Sequence, residues 1–275
     1  MTSAKDIVKS LTPPLLWHAA RKLKPKSDVH PAYGFEGPYP SWEAAASIAD
    51  GWDAPSILDK TLDAALKVRD GLVAFEMDGV PRDRIIYSPT ILAFLLLVLS
   101  RQKSTLNIID FGGGLGSNYI QNHKLLRHLR ATSVYWGVVE QEMLATLGKQ
   151  HFQTEELKFF PTIDDALSAA PQCDAVIFTG SLQYIAEPHA LLDRIVNADV
   201  KIIAMDRLLV SPSATDGAFV QRPDPALFYP ATYPVWCFAK EKFIERLTAR
   251  GFTLVEYFTF DPAHPFDDCG MIFSK

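Results

Sequence analysis

The sequence predicts an α/β protein built on a mostly parallel, doubly wound sheet, preceded by a helical segment. Three observations carry this. From residue 105 onward, short β-rich apolar runs alternate with amphipathic stretches. The first of those runs delivers a glycine-rich turn into a helix. The first hundred residues, in contrast, show helix signals and irregular stretches rather than alternation.

The runs are Leu106 to Phe111, Val134 to Val139, Asp174 to Thr179 and Lys201 to Met205, with a further strand ending near Phe160. Such runs are apolar at successive positions, as in strands covered on both faces. Helical stretches fall between them, around 118–130, 141–150, 162–170 and 187–198. This alternation specifies right-handed βαβ units. After a proline-rich loop, Lys240 to Arg250 reads as a helix closed by Gly251. Phe252 to Phe260 and Met271 to Phe273 then read as a closing hairpin.

In the first hundred residues, Ser41 is placed to N-cap a helix through Ile48. Pro55 sits in the first turn of the next helix, whose Ile57, Leu58, Leu62, Ala65 and Leu66 form one apolar face, and Gly71 stops it. Ser88 and Pro89 open an apolar helix to about Arg101. We place the boundary between a helical cap, 1–103, and the sheet domain, 104–275.

Composition bounds the function. The 275 residues carry a formal charge of −5, which argues against a general nucleic-acid binder. Cys173, Cys237 and Cys269 share no metal-type spacing, and so sparse a set fits a reducing compartment. The start of the chain lacks the apolar region of a signal peptide, and the run Ile91 to Leu99 is too short to span a bilayer. A cytoplasmic protein is expected. Residues 1–26 are a local exception, with Lys5, Lys9, Arg21, Lys22, Lys24 and Lys26 against Asp6 alone. Two readings are open: weak contact with an anionic membrane surface, or a loosely attached helix and linker.

The turn Asp110-Phe-Gly-Gly-Gly-Leu-Gly-Ser117 is the most informative segment. A chain that passes within contact distance of a ligand through unusual backbone angles needs residues without Cβ. The helix that follows aims free N–H groups at the same place. A dinucleotide site would use G-x-G-x-x-G, but its third glycine would fall on Ser117. The spacing that fits is Asp110, Gly112, Gly114, Gly116, with Gly113 inside the turn. That order resembles the first motif of class I methyltransferases, which bind S-adenosylmethionine.

Glu140, at the end of the second strand, is placed to accept hydrogen bonds from two ribose hydroxyls. Thr162 and Asp164 follow the third strand, where the resemblance implies an adenine contact; Asp164 could equally be only a helix cap. The turn Gly180-Ser181-Leu-Gln183-Tyr184 follows the fourth strand, where the methionine part and the transferred methyl are implied.

The resemblance covers the whole chain. Tyr33-Gly-Phe-Glu-Gly-Pro-Tyr-Pro-Ser-Trp-Glu-Ala-Ala45, Phe75-Glu-Met-Asp78, the glycine turn, Val220-Gln-Arg-Pro and Phe228-Tyr-Pro-Ala-Thr-Tyr-Pro-Val-Trp236 resemble a bacterial family of methyltransferases often associated with surface-polysaccharide gene clusters. It implies a Rossmann-like class I methyltransferase sheet of seven strands, mostly parallel with a C-terminal antiparallel hairpin, an N-terminal helical cap, and a small-molecule or glycan-precursor acceptor. One departure is that Glu76-Met77-Asp78 stands where an acid, an arginine and an acid are expected.

Methyl transfer needs positioning more than acid–base chemistry, and a base only for a hydroxyl or a protonated amine. Candidates for the chemistry are Tyr184, Asp206, Arg207 and His264. Arg207 and Arg222 are candidates for an anionic acceptor group, unless they pair with structural acids. Tyr229, Tyr233 and Trp236 are candidates for a lid that stacks on the acceptor, unless they simply pack on the cap. No histidine pair has metal-ligand spacing, and no metal is expected. A noncatalytic binding protein that retains the fold is the alternative.

Overall fold

The computed structural model describes residues 34–51, 55–102, 105–129, 131, 133–223, 231–260 and 266–275. The basic segment 1–26 and the candidates Tyr229 and His264 lie outside them.

The predicted sheet is present. Its parallel centre runs in the order β6 (Leu157–Phe160), β5 (Ser133–Val139), β4 (Thr105–Phe111), β7 (Ala175–Thr179) and β8 (Ile202–Ser211). Beyond β8 lies β12 (Asp267–Ser274), antiparallel to it, and then β11 (Thr253–Thr259). This is a Rossmann-like sheet closed by a C-terminal antiparallel hairpin.

Both faces are covered, which explains the unbroken apolar runs. Ile108, Ile177 and Ala204 face a cluster completed by Ile91, Phe94 and Leu95 of α3 (Pro89–Gln102) and Leu126 of α4 (Ser117–His128). Their neighbours Ile109, Val176 and Ile203 point the other way. There they meet Ile163 of α6 (Ile163–Ala169), Leu192 and Ile195 of α7 (Pro188–Asn197) and Phe243 of α8 (Lys240–Thr248). α2 (Pro55–Arg69) and α5 (Glu142–His151) add partly buried leucines to the first cluster. Each fully buried isoleucine, leucine or phenylalanine among them contributes about 1.5–3 kcal/mol on removal from water.

The structure also corrects three readings. The sheet has ten strands, three more than expected. The segment read as a proline-rich loop holds β9 (Gly217–Arg222) and β10 (Tyr233–Ala239), and residues read as irregular form β1 (Gly34–Tyr39). These three pair antiparallel, β1 to β9 to β10. Prolines and glycines hid them: Gly37-Pro38 interrupts β1, and Pro234 lies in β10, whose pairing with β8 is confined to Phe238 and Ala239. Finally, β8 does not end at Met205. It pairs with β7 as far as Asp206, then continues to Ser211 against β10 and β12.

Two smaller elements complete the fold. α1 (Trp42–Ala46) is capped as expected, with Ser41 Oγ accepting from the Ala44 amide. A short hairpin of β2 (Phe75–Met77) and β3 (Val80–Arg82) turns on Asp78-Gly79, both left-handed at φ 53° and 72°. An Asp-Gly pair is favoured in that two-residue turn.

Candidate active site

At the carboxyl edge of the parallel strands lies a cavity of about 910 Å³. Its lining follows the spatial order of the strands. Glu140 follows β5, Gly112 to Gly114 follow β4, Gly180 and Ser181 follow β7, and Asp206 and Arg207 belong to β8. A parallel sheet concentrates the ends of non-adjacent segments in this way, and ligands bind there.

The glycine turn is shaped by two different needs. Gly112 has φ 70°, and a Cβ on it would lie 2.4 Å from Ser181 Cβ, so the turn after β7 packs directly on it. Ser181 Oγ donates to the Phe111 carbonyl at 2.6 Å and ties the two turns together. Gly114 has φ 60°, and only Ser117 Oγ, at 3.9 Å, comes near its absent Cβ. The space left open there belongs to the cavity, as a loop that admits a ligand against its backbone requires.

Glu140 faces this turn. Its Oε1 accepts from the Gly114 amide at 3.0 Å and its Oε2 from the Gln141 amide at 3.0 Å. Burial raises its pKa, opposed by those two amides. Each oxygen is thus oriented, with further acceptor capacity for a ligand hydroxyl. Thr162 also lines the cavity while its Oγ accepts from the Asp165 amide at 3.1 Å and caps α6.

Asp110 does not line the cavity. It is fully buried beneath the glycine turn, where it accepts from Asn118 Nδ2 at 3.1 Å and Trp136 Nε1 at 3.2 Å. Burial pushes its pKa up to about 7. Its place is that of a brace joining β4, β5 and α4. Gly116 and Gln183 likewise lie outside the lining; Gln183 is buried, and its Nε2 donates to the Arg207 carbonyl at 3.0 Å. Asp164 is 66% exposed and sits in the first turn of α6, 3.4 Å from Arg194, while Thr162 does the capping.

Several residues that line the cavity escaped the sequence reading. Glu76 is 5% exposed; Ser117 Oγ donates to its Oε1, and the Gly79 amide to its Oε2 at 2.9 Å. Asp78 pairs with Arg207 at 2.9 Å. Burial works to raise the Asp78 pKa, but Arg207 and Arg82 hold it below the usual range. Ser88 Oγ donates to Asp206 Oδ1 at 2.8 Å. The Asp-Gly turn, between Phe75-Glu-Met and Val80-Pro-Arg, was the available signal for the hairpin that carries Glu76 and Asp78.

Of the remaining candidates, Tyr184 lines the cavity, donates to Gln221 Oε1 at 2.5 Å and lies edge-on to Tyr233. Burial raises its pKa. Arg222 pairs with Glu36 at 2.8 Å, and Trp236 stacks on Trp42 with ring centroids 5.5 Å apart. Tyr233 and Trp236 are strand residues, so they do not form a lid. Among the described residues, no group of histidines, cysteines and acids could hold a metal ion, and no helix is long and apolar enough to cross a membrane.

No family model and no curated protein matches the chain. Its structure is similar to solved ones. The 1,6-didemethyltoxoflavin-N1-methyltransferase of Burkholderia thailandensis, with S-adenosylhomocysteine bound, is 15% identical over 83% of this chain and 93% of that one, with a TM-score of 0.44. The N-terminal domain of EvdMO1, with S-adenosylhomocysteine bound, is 14% identical over 76% and 94%, at 0.46. An S-adenosylmethionine-dependent methyltransferase from Clostridium acetobutylicum is 8% identical over 69% and 92%, at 0.43. The class of fold, on its own strand order, is the Rossmann-like class I methyltransferase sheet, here extended by β1, β9 and β10.

Proposed function

We propose that the cavity binds S-adenosylmethionine and that the protein is a methyltransferase for a small-molecule acceptor, a class that includes glycan precursors. The observation that carries this is the pairing of an open Gly114 with Glu140 across the ends of adjacent strands. The carboxylate is oriented for a ribose, and the glycine turn leaves its backbone bare to the ligand. Acids outnumber bases around the cavity: Glu76, Asp78, Glu140, Glu187, Asp206 and Asp268 against Arg194 and Arg207. That balance suits a cationic cofactor. When bound, the cofactor supplies a methyl group on a sulfonium, a good leaving group.

The protein's own contribution is positional. The glycine turn and Glu140 hold one end, while Ser181 and Tyr184 line the space between that end and Asp206. Phe75, Met77 and Ile86 supply apolar walls that exclude water. The volume lies near the upper end of the range for small-molecule sites, roughly 300–1,000 Å³, which leaves room for an acceptor beside the cofactor.

Thermal melting tests the reading. S-adenosylhomocysteine at a hundred times its dissociation constant should stabilise the protein by about 2.7 kcal/mol. NAD(P) should not. Stabilisation by NAD(P) but not by S-adenosylhomocysteine would overturn the proposal. Binding without turnover across glycan precursors, small amines and small acids would leave a noncatalytic binding protein.

A further inference from the structure

Glu140, Gly114 and Ser181 follow three consecutive strands, and Asp206 lies on the next, β8, where its pairing with β7 ends. Asp206 lies two strand spacings from the glycine turn, about 10 Å. That distance places it beyond the cofactor's end of the cavity, on the acceptor side.

The surroundings of Asp206 are those of a held carboxylate. It is 3% exposed yet lines the cavity. Ser88, immediately before α3, donates to its Oδ1 at 2.8 Å, and the Gly180 amide donates to its main-chain carbonyl at 2.7 Å. Both neighbouring elements therefore fix its position. A buried carboxylate with acceptor capacity to spare favours a cationic partner, since bringing in an anion or leaving the charge unmatched is costly.

The charged and titratable groups near it narrow the choice. Arg207 follows it on the same strand and acts on it through space, but the direct ion pair of Arg207 is with Asp78. Glu76 on the hairpin and Asp268 on β12 line the same cavity, and Tyr184 approaches from the turn after β7. Tyr184 is engaged as a donor to Gln221. An anionic acceptor would meet the carboxylates of Asp206 and Glu76 here, whereas an ammonium would find a partner.

Resting on the proposed cofactor site, we propose that Asp206 binds the ammonium group of a primary-amine acceptor with an apolar body and accepts its proton, making this a nitrogen methyltransferase. The N–H bond breaks, an O–H bond forms on Asp206, and the electron pair stays on nitrogen, which is thereby freed to attack. The proton leaves to water after the product departs. Burial raises the Asp206 pKa, with Ser88, Arg207 and Thr90 opposing, which brings the carboxylate closer to the amine in basicity. Phe75, Ile86, Tyr87 and Phe260 would enclose the apolar body.

The test uses the full chain saturated with S-adenosylhomocysteine and three probes of one shape: benzylamine, benzyl alcohol and benzoate. Titration calorimetry should give at least tenfold tighter binding of benzylamine than of either competitor. Asp206→Asn should abolish that preference while keeping the thermal shift caused by S-adenosylhomocysteine. In the native protein, benzylamine affinity should fall as pH is lowered through the Asp206 titration. Ser88→Ala, which removes a hydrogen bond to the charged form, should move that midpoint upward, and it serves also if Asp206→Asn does not fold. Equal binding of the three probes, no binding of benzylamine, a preference that survives Asp206→Asn, or an unmoved midpoint in Ser88→Ala would overturn the inference. Failure of S-adenosylhomocysteine itself to bind would instead strike the cofactor reading.

Discussion

Asp78 and Arg207 are 129 residues apart in the chain, meet as an ion pair at 2.9 Å, and both hold left-handed backbone angles, φ 53° and 56°. The pair joins the β2–β3 hairpin to β8 at the wall of the cavity. The two angles have different standing. Asp78 occupies a turn position that aspartate tolerates, whereas Arg207 lies inside a strand and gains nothing locally from its conformation.

That difference is measurable. A left-handed angle on a residue with a Cβ costs about 1 kcal/mol or more. Arg207→Gly is therefore expected to be more stable than Arg207→Ala by about that amount in urea denaturation, although both lose the guanidinium. Equal stabilities would show that the strand relaxes once the ion pair is gone.

Gly112 and Gly114 should separate folding from binding. An alanine at Gly112 meets Ser181 at 2.4 Å as well as an unfavourable φ, so the fold should lose about 2 kcal/mol or more. Gly114→Ala should lose about 1 kcal/mol, from the backbone alone. Its added methyl would instead fill the cavity side of the turn, so the thermal shift with S-adenosylhomocysteine should collapse. A Gly114→Ala protein that binds normally would count against the cradle.

Glu140→Ala should keep the fold and lose most of the affinity for S-adenosylhomocysteine, because the carboxylate makes only two main-chain hydrogen bonds of its own. Calorimetry should show at least a tenfold weaker dissociation constant, equivalent to about 1.4 kcal/mol. Unchanged affinity would remove the ribose assignment.

Asp110 should set part of the pH dependence of stability. Its folded pKa of about 7 lies above the ordinary 3.8, so the folded state holds a proton that the unfolded state releases. The resulting stabilisation is complete below about pH 4 and disappears as pH rises through about 7, a loss of roughly 4 kcal/mol. Melting temperatures of Asp110→Asn should decline less than those of the native protein between pH 5 and 8. Glu76, Glu140 and Asp206 are also raised by burial, and their contributions, of the same sign, remain in the variant.

The readable parts of the site share one property: they directly follow β-rich runs of the sequence. Gly112 to Gly114, Glu140, Thr162, Gly180, Ser181 and Asp206 were all located by following β-rich runs to their carboxyl ends, and all line the cavity. Asp110 shows where that reasoning stops. It precedes the glycine turn as expected, yet alternation along β4 points its carboxylate to Asn118 and Trp136 rather than outward. The hairpin with Glu76 and Asp78 was missed because strands of three residues leave no period to detect.

The sequence by itself determined the parallel core and the glycine turn, because hydrophobic periodicity and the φ demands of glycine are local properties of the chain. The tertiary structure decided the surroundings of Asp206 and Arg207. Which acids surround Asp206, which one neutralises Arg207, and that Tyr233 and Trp236 belong to strands all depend on segments brought together across the sheet. Electrostatic partnership is set by distance in space, and no local pattern encodes a contact between residues 78 and 207.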